Sequence, residues 1–157
     1  CSHCGVCGLD FGHNIVVPPP PIPTFNGHFV PNQTRAQRLR VRLGKLGDMA
    51  LLSHLDLMRL LDRVVRRASI PITYTGGFHP GPRIIPANAL PLGTTSSGEI
   101  VDFELTQPMQ ISDFHAALEK QLPSDLPIYH VEEVPLNEPS ATQVLERAEY
   151  CLTIHSE

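Results

Sequence analysis

From Gln37 onward the chain alternates. Leu39, Val41 and Leu43 are apolar and Arg38, Arg40 and Arg42 stand among them, the period of two that marks a strand with one buried face. Gly44 and Gly47 interrupt the run, and Met49 to Leu52 are expected to continue its pairing. The period then lengthens. Ser53 and Asp56 form a capping box of the S-x-x-D kind. Leu57, Leu60, Leu61, Val64 and Ala68 follow at helical spacing through to Ser69, and Pro71 closes the segment. A helix from Ser53 to Ser69 is therefore predicted. Ile72 to Thr75 reads as a short strand, and the Gly- and Pro-rich stretch from Gly76 to about Gly93 as a loop.

A second helix and two more strands complete the pattern. Glu99 to Thr106 is mostly apolar and reads as a strand. Phe114, Ala117, Leu118 and Leu122 place a helix over about Ser112 to Leu122, and Ile128 to Val134 reads as a strand. The order β-α-β-β-α-β predicts an α+β, ferredoxin-like domain: a four-stranded antiparallel sheet with two helices on one face. The opposite face is expected to be left for a partner. Residues 140–149 suggest a further short helix, and Tyr150 to Ile154 a strand. The region before Gln37 is different in kind. Residues 1–15 are rich in Cys and Gly, and 16–36 hold Pro18, Pro19, Pro20 and Pro21, a run that favours a stiff polyproline II spacer. Because the chain opens on Cys1 and closes just after the last strand-like run, it is expected to be part of a longer polypeptide. The domain proper would span 37–157, short of its C-terminal end.

Composition narrows the function. The 16 prolines exclude an all-helical protein, and zero Trp with 6% aromatic residues argues against a carbohydrate-stacking surface. No apolar run is long enough for a membrane span and no secretory leader pattern is present, so a cytoplasmic, membrane-free protein is expected. A net charge of −4 would speak against nucleic acid, but ten of the twelve basic residues lie between Arg35 and Arg83, and the acidic residues gather after Ile84. Either the basic half meets phosphates or an acidic partner, or the two halves neutralise each other in the folded domain.

Three constellations could carry chemistry. Cys1, Cys4 and Cys7 share two-residue gaps, with His3 and His13 nearby, a local set of three ligands for an auxiliary iron–sulfur cluster or zinc, with free thiols as the alternative. Cys151 reads as a core residue. Arg59, Arg63, Arg66 and Arg67 share a helix face that only Asp62 interrupts, and such a row of like charges suggests a phosphate ligand. The loop Gly76 to Arg83 could stack a base on Phe78, share a proton through His79 and hold a phosphate with Arg83; Phe78 could equally fill the core. His54 opens the first helix as a surface or capping residue or faces this loop. His115 and His130 read as ordinary positions. Asp102 and Glu104 share a strand face without an evident general-acid partner.

Leu39-Arg40-Val41-Arg42-Leu43-Gly44-Lys45, Leu52-Ser53-His54-Leu55-Asp56-Leu57-Met58-Arg59, Gly77-Phe78-His79-Pro80-Gly81-Pro82-Arg83 and Ala89-Leu90-Pro91-Leu92-Gly93 are collinear motifs that together resemble the radical-SAM-linked proteins, the bacterial family DUF2344. The likeness covers about 37–157, and Cys4-Gly5-Val6-Cys7 resembles the tail of the radical S-adenosylmethionine (SAM) enzyme to which members are fused or adjacent. It implies a radical SAM domain as partner. S-adenosylmethionine and its 4Fe-4S cluster would belong to that upstream domain, since the C-x-x-x-C-x-x-C motif is absent here. The expectation is an accessory substrate-binding domain that holds RNA (tRNA or rRNA) for modification, bound by Arg40, Arg42, His54, Arg59, Arg63, Arg66, Arg67, Phe78 and Arg83. The alternatives are docking onto the radical enzyme, or RNA processing with His79 as catalytic base.

Overall fold

A computed structural model describes residues 33–153. Its elements are β1 (Gln37–Lys45), a 3-10 turn (Gly47–Leu51), α1 (His54–Arg67), β2 (Ile84–Pro86), β3 (Ser96–Leu105), α2 (Ile111–Glu119), β4 (Ile128–Glu133) and α3 (Ala141–Val144). The strands form one antiparallel sheet in the order β2-β3-β1-β4, so the α+β, ferredoxin-like arrangement is present. The residues 1–32, with Cys1, Cys4, Cys7 and most of the proline-rich spacer, and 154–157 lie outside the described part. Among the described residues no helix is long and apolar enough to cross a membrane.

The alternation in β1 sets the layers. Leu39, Val41 and Leu43 point inward beside Val101, Phe103 and Leu105 of β3 and are fully or almost fully buried. They pack with Leu57, Leu61, Val64 and Val65 of α1 and Phe114 and Leu118 of α2. Phe103 and Phe114 meet edge to face at 5.6 Å, a geometry worth about 1 kcal/mol beyond the area buried. The Ser53 hydroxyl accepts the Asp56 amide at the start of α1. At its end the Ile70 and Ser69 amides donate to the Val65 and Arg66 carbonyls, a Schellman closure. Ser69 holds the left-handed position there, with φ +55°.

Several expectations are corrected by the fold. Met49–Leu52 do not extend β1: Gly47, at φ +47°, turns the chain into the 3-10 turn. The edge lane beside β3 is split. Ile72 bridges Leu105, but the strand proper is Ile84–Pro86, within the stretch expected to be loop. Residues 74–82 are an excursion between those two pieces. The outer sheet face is partly covered, because residues 135–144 cross it as a strap, while Arg42 and His130 stay exposed. Arg38 donates to the Glu138 carbonyl at 2.8 Å, the Ala141 amide to Asp102 at 2.7 Å, and Thr142 to the Pro86 carbonyl at 2.8 Å. Finally, α3 is a single turn, and Tyr150–Thr153 form no strand. With no strand to pair against there, Cys151 is exposed rather than in the core.

Candidate nucleic-acid interface

The arginines of the basic half divide between two sides of the sheet. On the outer side, β1 and β3 face each other with opposite charges in register, Arg38 beside Glu104 and Arg40 beside Asp102. Asp102, fully buried, accepts from Arg40 Nε at 2.8 Å and Nη2 at 3.0 Å. That bidentate bond holds the Arg40 guanidinium pKa above its ordinary value. Glu104 is the hub of a larger cluster. Its Oε1 accepts from Arg38 Nη2 at 3.0 Å and Arg35 Nη1 at 3.3 Å, and its Oε2 lies 3.7 Å from Arg83 Nη1. The bulk of the outer positive charge is thus consumed inside the domain. Arg42 alone of the β1 arginines is exposed, between Ile100 and His130.

The helix side is different. The apolar face of α1 is buried on the sheet, which turns Arg59, Arg63, Arg66 and Arg67 to solvent. Arg59 pairs with Asp56 at 3.1 Å and Arg66 with Asp62 at 2.9 Å. Both are exposed contacts, screened by solvent and correspondingly weak. Hydrogen bonds from Ser53 and then Arg59 lower the Asp56 pKa, and the bond to Asp62 raises that of Arg66. Arg63 and Arg67 make no ion pair among the described residues. So α1 carries four arginines against two aspartates, and the two aspartates occupy only Arg59 and Arg66.

The excursion 74–82 stands against this helix. Tyr74 and Pro82 bridge at its neck, the Arg83 amide donates to the Thr73 carbonyl at 2.7 Å and the Thr75 amide to the Gly81 carbonyl at 2.9 Å. The Arg66 guanidinium lies over the Tyr74 ring at 5.9 Å, within cation–π range, and ties the neck to α1. Gly77 at φ +110° makes the reversal at the tip. Phe78 there is wholly exposed, so it does not fill the core. His79 beside it is exposed and makes no hydrogen bond or ion pair among the described residues, so no side chain orients it as a base. At the base of the excursion, Thr73 Oγ1, Arg83 Nε and Glu104 Oε2 are buried without a hydrogen-bond partner.

Between Pro82 and α1 runs a groove of about 300 Å³, lined by Leu55, Met58, Arg59, Asp62 and Pro82. The structure therefore gathers Arg59, Arg63, Arg66, Arg67 and the Gly–Pro excursion on one side. Arg40 and Arg42 belong to the other. His54 is half-buried as the first residue of α1, and Arg83 is half-buried beneath the excursion, against Glu104.

The model of a bacterial family described as "uncharacterized protein conserved in bacteria", DUF2344, matches residues 38–157. The chain belongs to that family. The match covers the sheet from Arg38 onward and α1, α2 and α3, the arginine face and the excursion included. No curated protein matches the chain. Leu55, Met58, Asp62 and Pro82 were not evident as site residues in the DUF2344 sequence. Leu55, Met58 and Asp62 are i, i+3 and i+7 on α1, a stripe beside the buried one that was legible in principle. Pro82 joins them only through the neck of the excursion. The pairing of Arg38 and Arg40 with Glu104 and Asp102 had a clearer signal, two alternating strands of opposite charge.

Proposed function

We propose that this domain is the substrate-binding accessory of a radical SAM enzyme and that the substrate it holds is RNA. The observation that carries the reading is the division of the arginines. Internal neutralisation accounts for Arg35, Arg38, Arg40 and Arg83, which surround buried carboxylates. It leaves Arg63 and Arg67 on an exposed helix face beside a grooved, rigidly necked loop. Exposed guanidinium groups in a row suit a phosphate backbone, and the exposed aromatic at the tip of the excursion, Phe78, suits an unstacked base. The motif resemblance to radical-SAM-linked proteins supports the choice of enzyme partner. On the same reading Cys1, Cys4 and Cys7 bind an iron–sulfur cluster or zinc, which iron, sulfide and zinc assays of the chain and its Cys4→Ser variant would test.

The experiment is a fluorescence-anisotropy titration with single-stranded RNA at several salt concentrations, for the parent chain and for Arg63→Glu with Arg67→Glu. The parent should bind, more weakly as salt rises. The double variant should bind less tightly and lose about 1.4 from the slope of log K against log salt, about 0.7 for each phosphate contact removed. No RNA binding by the parent at low salt would refute the reading, and salt-sensitive capture of the radical enzyme by the same arginines would replace it with docking.

A further inference from the structure

We propose that the groove between α1 and Pro82 is a subsite for one unstacked nucleobase, with guanine the preferred base. This rests on the RNA reading above and goes beyond it by naming where a base is read. The groove's walls are apolar, formed by Leu55, Met58 and Pro82, and its polar groups are confined to Arg59 and Asp62. A volume of about 300 Å³ is at the small end of ligand sites and suits one heterocycle rather than a folded partner.

The polar groups are matched to the edge of a base. Asp62 Oδ1 accepts from Arg66 Nε at 2.9 Å, while Oδ2 has no hydrogen-bond partner among the described residues. Arg59 Nη1 donates to Asp56 at 3.1 Å, and the rest of its fork is likewise unengaged there. The groove thus presents a carboxylate acceptor and guanidinium donors one helical turn apart. Guanine offers two adjacent N–H donors to a carboxylate and two acceptors, O6 and N7, to an arginine. The apolar walls would take its faces. Arg63 follows Arg59 by four residues, about 6 Å along the axis, where the phosphate of a base seated in the groove would run. The far wall is held in advance, since Pro82 is fixed by its bridge to Tyr74 and by the Arg83–Thr73 hydrogen bond. A preformed wall reduces the ordering cost of binding.

The test compares three RNA oligonucleotides of equal length, all-uridine, one internal guanosine and one internal adenosine, against the parent chain, Asp62→Asn and Leu55→Glu. Leu55 is 65% exposed, so its substitution is compatible with folding, and matching thermal midpoints would establish that for both variants. The parent should prefer the guanosine oligonucleotide about tenfold over all-uridine. Both variants should lose that preference while keeping the salt slope. Asp62→Asn also removes a negative charge and should raise affinity for every oligonucleotide, so the preference is read as a ratio. RNA binding with no guanosine preference, or a preference that survives both variants, overturns the subsite and leaves the RNA reading standing. Failure of all three oligonucleotides to bind at low salt overturns both.

Discussion

The strap over the outer sheet face is anchored at its buried end by the Asp102 carboxylate, and Asp102→Ala is the perturbation that tests this anchor. Asp102 has no solvent exposure and accepts three hydrogen bonds, two from Arg40 and one from the Ala141 amide. Alanine removes all three acceptor contacts. The Arg40 side chain, 16% exposed, loses its bidentate partner and keeps the Pro139 carbonyl at 3.3 Å with the weaker fields of Glu132, its register partner on β4, and Glu138. Removing one member of a buried pair costs about 3–5 kcal/mol. The orphaned Ala141 amide would cost about 1–3 kcal/mol if it stayed buried, but it recovers part of that by exposing the strap to water. The expected loss is about 4 kcal/mol, a large share of the ~5–15 kcal/mol that holds a domain of this size. With an m-value near 2 kcal/mol/M, the urea midpoint should fall by about 2 M. Arg40→Met alone should also destabilise, and Arg40→Met combined with Asp102→Asn should lose less than the two single changes together, because the pair then leaves no buried charge and the asparagine oxygen still accepts from Ala141. Hydrogen exchange at the Ala141 amide supplies the local readout. A loss below about 1 kcal/mol in Asp102→Ala, or an Ala141 amide no faster to exchange, would refute the claim that this carboxylate anchors the strap.

Three further outcomes follow from single residues. Thr73→Val should stabilise by about 1 kcal/mol in equilibrium unfolding, since the Thr73 hydroxyl is buried without a partner and its replacement is isosteric; destabilisation would show that the hydroxyl is bonded. Ser69→Gly should also stabilise by about 1 kcal/mol, because only glycine meets φ +55° without a Cβ penalty; an unchanged thermal midpoint would count against it. Ser53→Ala should cost about 1 kcal/mol near neutral pH through the lost α1 cap, with a difference from the parent that shrinks in acid. The folded Asp56 pKa is lowered, by the Ser53 hydroxyl first, so the stability it contributes is present above the ordinary Asp value near ~3.9 and disappears as pH falls through the lower folded value. Urea midpoints of both proteins at pH 7 and pH 3 check the sign.

Local periodicity carried a large part of the architecture. Alternation in Gln37–Leu43 and 3.6-residue spacing in His54–Arg67 are properties of short windows. The side chains that satisfy them are the ones buried in the core, so β1, α1, the larger part of β3, α2, β4 and the order that makes a ferredoxin-like sheet were all readable along the chain. The Ser53 cap was readable for the same reason, since its partner is three residues away. Where partners are distant in sequence the windows fail. Ile84–Pro86 is too short and too proline-bound to look like a strand, and it is one because β3 offers it an edge. The short helix expected within 140–149 is present but limited to one turn, Ala141–Val144, and the chain just before it runs as a strap whose backbone is held by the Arg38 guanidinium at Glu138 and by buried Asp102 at Ala141. Charge showed the same limit: the run of arginines was plain, but which of them face water was not. Antiparallel register set Arg38 and Arg40 against Glu104 and Asp102, 66 and 62 residues away, and the packing of α1 turned Arg63 and Arg67 outward. Composition counts charges, whereas desolvation and pairing across the sheet decide which of them remain available to a ligand.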